Sequence, residues 1–214
     1  MSPDNNTTTR DRLLKVAESL FAQKGYDSVS VREITNAAHC NLAAVNYYFG
    51  NKKALYLSVF RERWMPRAQR ILTCFEENLA SRNETSPATV IQSLAEALIK
   101  GPLTDEERLC HFQLMIREMT KPTEAFEIVT QETMKPSLVR LGQLLQPYLH
   151  ESMDEERTIL NILSIFSMVI YFNFARLPVS KIIRHAYDEP FKDRLIQHIV
   201  QFSLSGMPLK EDTR

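Results

Sequence analysis

The sequence predicts an all-α protein, a small N-terminal three-helix unit followed by a larger helical body. Three observations lead there. Only 5 glycines occur in 214 residues, too few for a turn-rich β fold or for glycine-rich cofactor loops. Leu, Glu, Ala and Arg recur throughout and favour helix. Prolines at 102, 122, 178 and 190 fall between the apolar-periodic runs, where each punctuates a helix. With 44% hydrophobic residues the chain can also build a substantial core.

Thr8 or Thr9 can cap a first helix, and Asp11 adds a carboxylate near its positive end. Leu13, Leu14, Ala17, Leu20 and Phe21 form one apolar face and Gly25 stops the helix, so it spans about 9–24. Ser30-Val31-Arg32-Glu33 reads as a capping box that opens a short helix through Ala38. His39-Cys40-Asn41 is a turn, and Asn41 caps a second short helix over 42–49. Gly50-Asn51 breaks the pattern again before a long amphipathic helix starts at Lys52. Body helices are expected near 88–100, 106–119, 123–148, 155–176 and 190–204, with Pro136 kinking the third. The organisation expected is a tail over 1–8, a helix-turn-helix domain over 9–56, a helical body over 57–208 and a second tail over 209–214.

Several function classes drop out. Formal net charge is zero, but residues 1–64 hold nine basic and six acidic side chains, a basic head on an acidic body. Cys40, Cys74 and Cys110 are widely spaced, so neither a disulfide framework nor a zinc knuckle is expected. His111, His150, His185 and His198 are isolated, which argues against a metal site. No nucleophile elbow, phosphate loop or paired-histidine zinc motif is present, so neither enzymatic activity nor a cofactor is expected. The opening MSPDNNTTTR lacks the cationic and apolar regions of a secretory signal, and a cytoplasmic location is expected. Residues 159–175 are apolar enough to raise a membrane span, but they are short for a bilayer and interrupted by Asn161, Ser164, Ser167 and Asn173. A buried or dimer-interface helix is the expectation.

Two short helices joined by a three-residue turn and packed on a preceding one have helix-turn-helix spacing, in which the second helix enters the major groove of DNA. A structural corner has that spacing too. The side chains favour the groove: Arg32, Tyr47, Tyr48, Lys52 and Lys53 converge as phosphate donors, joined by the helix-start hydroxyl of Ser30. Leu42, Ala43 and Ala44 form an apolar reading head suited to thymine methyls, Asn41 or Asn46 can supply an amide to adenine, and Arg32 can reach a guanine. Val45 and Phe49 are assigned to the core.

The run SVREITNAAHCNLAAVNYYFGNKKAL resembles the DNA-binding signature of the TetR (tetracycline repressor) family, over residues 9 to about 60. NLAAVNYYFGNK with the downstream CHFQLMIREMTKPTEAFE is further similar to the CecR-like subgroup. His39 stands where that family usually has glycine at a turn needing positive φ, and Cys40 replaces the usual valine, either as simple packing or as a redox-sensing thiol. The resemblance implies a repressor released from a palindromic operator when a small molecule enters the body. It also implies a homodimer whose helices 155–176 and 190–204 pair as a four-helix bundle, with Phe166, Val169, Phe172, Ile196, Ile199 and Val200 as interface candidates. For the effector, His111, Phe112, Met115, Met119, Phe126, Met134 and Phe166 are pocket candidates, with plain core packing as the competing reading. The alternative function is a helical dimeric scaffold or protein-interaction module that senses nothing.

Overall fold

The computed structural model describes residues 8–151 and 153–210, so most of both expected tails, 1–7 and 211–214, lies outside the described residues. The parts that are described belong to the fold. Thr8 caps the first helix by accepting from the Asp11 N–H at 3.2 Å. Leu209 forms an isolated antiparallel bridge with Leu149, and the Lys210 N–H donates to the Tyr148 carbonyl at 3.0 Å.

Apart from that bridge, the regular elements among the described residues are all helical. They are α1 (Thr9–Lys24), α2 (Val31–Ala37), α3 (Ala43–Phe49), α4 (Lys52–Val59), α5 (Met65–Ala80), α6 (Pro87–Ile99), α7 (Asp105–Thr120), α8 (Ala125–Val129), α9 (Lys135–Leu145), α10 (Glu155–Phe174), α11 (Arg176–Ile183) and α12 (Glu189–Gly206), with a 3-10 turn over Gln146–Tyr148 after α9. Wide π turns over Phe60–Trp64 and Thr130–Met134 join α4 to α5 and α8 to α9. Each ends two residues before a proline, Pro66 or Pro136. A proline ring inside a helix removes one N–H and collides with the carbonyl four residues back, and an i→i+5 turn opens the spiral there. The kink expected at Pro136 is thus present as a π turn, while the one before Pro66 went unforeseen. Pro178 follows closely on the expected break, α10 ending at Phe174, but opens a further helix that went unforeseen. It sits in the first turn of α11, where an absent N–H leaves no hydrogen bond unmade.

Packing divides the chain into two compact units. The first takes residues up to Arg67 and also Glu106–Thr130, so α7, but for its first residue, and α8 belong with the reading head. The division by packing therefore falls elsewhere than the expected boundary at residue 56. The core of this unit is aromatic: Phe21 meets Tyr56 edge-on at 4.8 Å, Tyr56 meets Phe60 at 5.2 Å, and Trp64 lies flat on the His111 imidazole at 4.5 Å. The Trp64 indole N–H donates to the His111 carbonyl at 2.9 Å. Buried Glu18 of α1 accepts from both Arg63 and Arg67.

The second unit comprises Ala68–Asp105 and Gln131–Arg214. Its centre is α6, whose Val90, Ile91, Leu94 and Leu98 are buried against α9, α10 and α12. Ile162, Ile165 and Val169 of α10, with Ile196 and Ile199 of α12, complete this core. Val169, Ile196 and Ile199 are therefore interior residues of the protomer rather than interface, because α10 and α12 both pack onto α6. Phe166, Phe172 and Val200 are half-buried. By length and composition α10 could cross a membrane. Its outward side carries Leu160, Ser164, Ser167, Tyr171 and Phe174, a seam at 4-3-4-3 spacing in which apolar ends flank two small polar residues.

Candidate nucleic-acid interface

The helix-turn-helix begins with a cap that is half of the expected box. Ser30 Oγ accepts from the Glu33 N–H at 3.1 Å, but the Glu33 carboxylate turns away to Lys24 Nζ at 2.6 Å. That pairing holds the Glu33 carboxyl below its ordinary range. Between α2 and α3, His39 adopts φ 51°, the positive value expected at this turn. The His39 and Cys40 N–H groups close the loop onto the Asn36 and Thr35 carbonyls at 3.1 and 3.0 Å. Asn41 Oδ1 then accepts from the Ala43 N–H at 3.0 Å, which leaves the amide nitrogen of Asn41 as its outward donor. Gly50, at φ 85° with an N–H bond to the Asn46 carbonyl, closes α3.

α3 is held to the head by buried Val45, while Phe49, half-buried, takes the Arg10 guanidinium 5.0 Å from its ring centre. Its opposite side is open. Asn41, Leu42, Ala43 and Asn46 are exposed, Ala44 is half-buried, and Tyr47 is 82% exposed with its ring edge-on to Tyr48 at 4.9 Å. Arg32 is exposed with no ionic partner among the described residues. The start of α4 adds a positive pole: Asn51 Oδ1 accepts from the Ala54 N–H at 2.8 Å, and the first backbone N–H groups of the helix have no intrahelical acceptor.

The two lysines there are engaged. The Lys52 ammonium lies 4.3 Å from the Tyr26 ring centre, and burial lowers its pKa although Asp27 acts to raise it. Lys53 pairs with Glu124 of the α7–α8 turn. Tyr26 and Glu124 were missed by sequence reasoning, since each meets its lysine only through tertiary packing and no local pattern announces it.

Behind the reading surface, α7 is bonded into the head. The Arg117 Nε donates to the Ala22 carbonyl at 2.7 Å, and a second guanidinium nitrogen donates to Gln23, both at the C-terminus of α1. The Tyr56 hydroxyl donates to Glu118, a carboxylate only 1% exposed. Burial and that bond raise the Tyr56 pKa. Glu118 also accepts from the Thr123 N–H at 2.8 Å and hydroxyl at 3.0 Å.

The expected pocket residues do not gather into one site. His111, Phe112 and Met115 fill the interior of the first unit, Phe126 is half-buried there and Met119 is exposed; Met134 and Phe166 belong to the second unit. His111 is tightly enclosed, and burial, with the nearby Arg67 and Arg108 charges, pushes its pKa down to about 3. None of the seven lines the 560 Å³ groove beside α5 and α9, whose walls include Leu72, Glu76, Ala80, Pro136 and Arg140. Cys40 is free and directs its thiol to the Thr35 carbonyl at 3.7 Å.

Residues 13–59 match the family described as bacterial regulatory proteins, tetR family, and residues 87–207 match the C-terminal domain of the HTH-type transcriptional dual regulator CecR. The CecR dual regulator of Shigella flexneri is 24% identical over 177 residues, 78% of this chain and 76% of that protein. A probable HTH-type transcriptional regulator of Bacillus subtilis, YttP, is 31% identical over 44% of this chain and 40% of its own length. A TetR-family regulator from Bordetella parapertussis has the same fold, with a TM-score of 0.67 at 18% identity over 92% of this chain and 94% of that one.

Proposed function

The chain belongs to the TetR family of bacterial regulatory proteins and carries a CecR-type C-terminal domain, and on that premise we propose that it is a cytoplasmic homodimeric repressor released from a palindromic operator by a small-molecule effector. Membership makes it a DNA-binding transcription regulator and not an enzyme. The single observation that carries the finer reading is the open face of α3, flanked by exposed Arg32, by Tyr47 and by the N-terminus of α4. Leu42, Ala43, Ala44 and Asn46 read base edges, Asn41 offers its amide nitrogen, and the Ser30 end of α2, Tyr48, Lys52 and Lys53 face phosphates. One short helix makes few base contacts, so two heads related by a two-fold axis are needed for a selective grip. The effector acts by binding the released conformation more tightly than the DNA-bound one. The 560 Å³ groove beside α5 and α9, with the Glu76–Arg140 ion pair on its wall, is the concavity we assign to it.

The test is a gel shift on the promoter region flanking the protein's own gene, followed by a salt titration. Arg32→Ala is expected to relax discrimination at one base pair by about 1–3 kcal/mol. Lys52→Ala is expected to weaken all duplexes alike and flatten the salt dependence. Sequence-indifferent weak binding by the wild type would favour the scaffold reading instead.

A further inference from the structure

Lys53 and Tyr56 lie three residues apart, on one face of α4. The C-terminal end of α7 and the turn that follows it meet both. Tyr56 donates to Glu118, and Lys53 pairs with Glu124. The presentation of Glu124 is fixed. Glu118 grips the Thr123 N–H and hydroxyl, the Thr123 hydroxyl accepts from the Ala125 N–H at 3.1 Å, and Lys121 pairs with Asp27 at the far side of the same turn. Glu124 therefore reaches Lys53 from a turn anchored in the α4 helix one step further on. Its carboxylate gives Lys53 the same kind of anionic oxygen partner that a DNA phosphate would.

We propose that Glu124 is an affinity-setting residue that competes with the DNA backbone for Lys53. The proposal rests on the reading above, in which the N-terminus of α4 faces a phosphate. Lys53 and Glu124 shift each other's pKa in the directions a formed ion pair requires, Lys53 upward and Glu124 downward. Both partners are more than half exposed, so the pair is weak enough for a phosphate to displace and strong enough to lower affinity by roughly two- to fivefold per head. Any movement of the α7–α8 turn away from α4 would free Lys53 without touching the reading helix.

The experiment uses the full-length protein and a random-sequence 30-base-pair duplex at low salt, read by fluorescence anisotropy. Glu124→Gln should tighten binding by about two- to fivefold per head. Glu127→Gln makes the same change in net charge three residues further on, from an exposed position in α8, and should do markedly less. In a Lys53→Gln background, Glu124→Gln should have no more effect than Glu127→Gln. Equal effects of Glu124→Gln and Glu127→Gln, or a Glu124→Gln gain that survives the loss of Lys53, would overturn the competition. A wild type without affinity for this duplex or for its own promoter region would overturn the DNA reading and this proposal together.

Discussion

At the scale of single residues, His111 shows how burial turns an ordinary side chain into a stability switch. In the unfolded chain its imidazole titrates near pH 6.5, whereas the folded protein holds it neutral down to about pH 3. The unfolded state therefore binds the extra proton first as the pH falls. The stability contributed is complete above about pH 6.5 and is lost progressively toward pH 3, at up to about 1.4 kcal/mol per pH unit. Chemical denaturation at pH 7 and pH 5 should show a steeper loss for the wild type than for His111→Gln, by about 2 kcal/mol over that window. Parallel losses would mean the imidazole is not held neutral. His39 makes the complementary point: its positive φ was legible because the turn spacing demands that backbone, whereas nothing around position 111 in sequence announces the flat stack on Trp64.

At the scale of elements, helix starts and stops were the most readable feature, because caps act through neighbours three or four residues away. α1 has its expected bounds for this reason, with Thr8 and Gly25 at its ends. The Glu33 side chain was misread because Lys24, nine residues back, competes for it, and a charged partner outbids a backbone N–H. Gly25 also carries a burden that its local sequence hides. At φ 82° it already excludes most side chains, and an added Cβ would lie 3.0 Å from the Arg117 guanidinium that caps α1. Gly50 has a similar φ of 85° with nothing within 4 Å of that point. Gly25→Ala should therefore lower the urea midpoint more than Gly50→Ala, with about 1–2 kcal/mol of backbone strain common to both. Equal losses would show that Arg117 yields freely.

At the scale of the whole molecule, the exposed seam of α10 and the 62% exposed Phe202 of α12 present the apolar surface that a second copy can cover. Serines at the middle of the seam allow close approach of two helices. Leu160→Glu and Phe202→Glu are expected to shift sedimentation at micromolar concentration from dimer to monomer and to weaken operator binding by roughly tenfold or more; a dimer that survives both would place the interface elsewhere. The family resemblance marked α10 and α12 as the pairing helices but did not settle which side of each faces inward. Both sides of α10 carry apolar residues, and the packing of α6 and α9 against one of them decides between the two.

The attachment of α7 to the reading head also has a practical side. A fragment ending at residue 67 would lose the guanidinium that closes the last carbonyls of α1, the carboxylate that receives the Tyr56 hydroxyl, and the imidazole that covers Trp64. Anyone transplanting this head onto a foreign sensor to make a chimeric switch would need to carry residues 106–130 with it, spliced in as a second, non-contiguous insert.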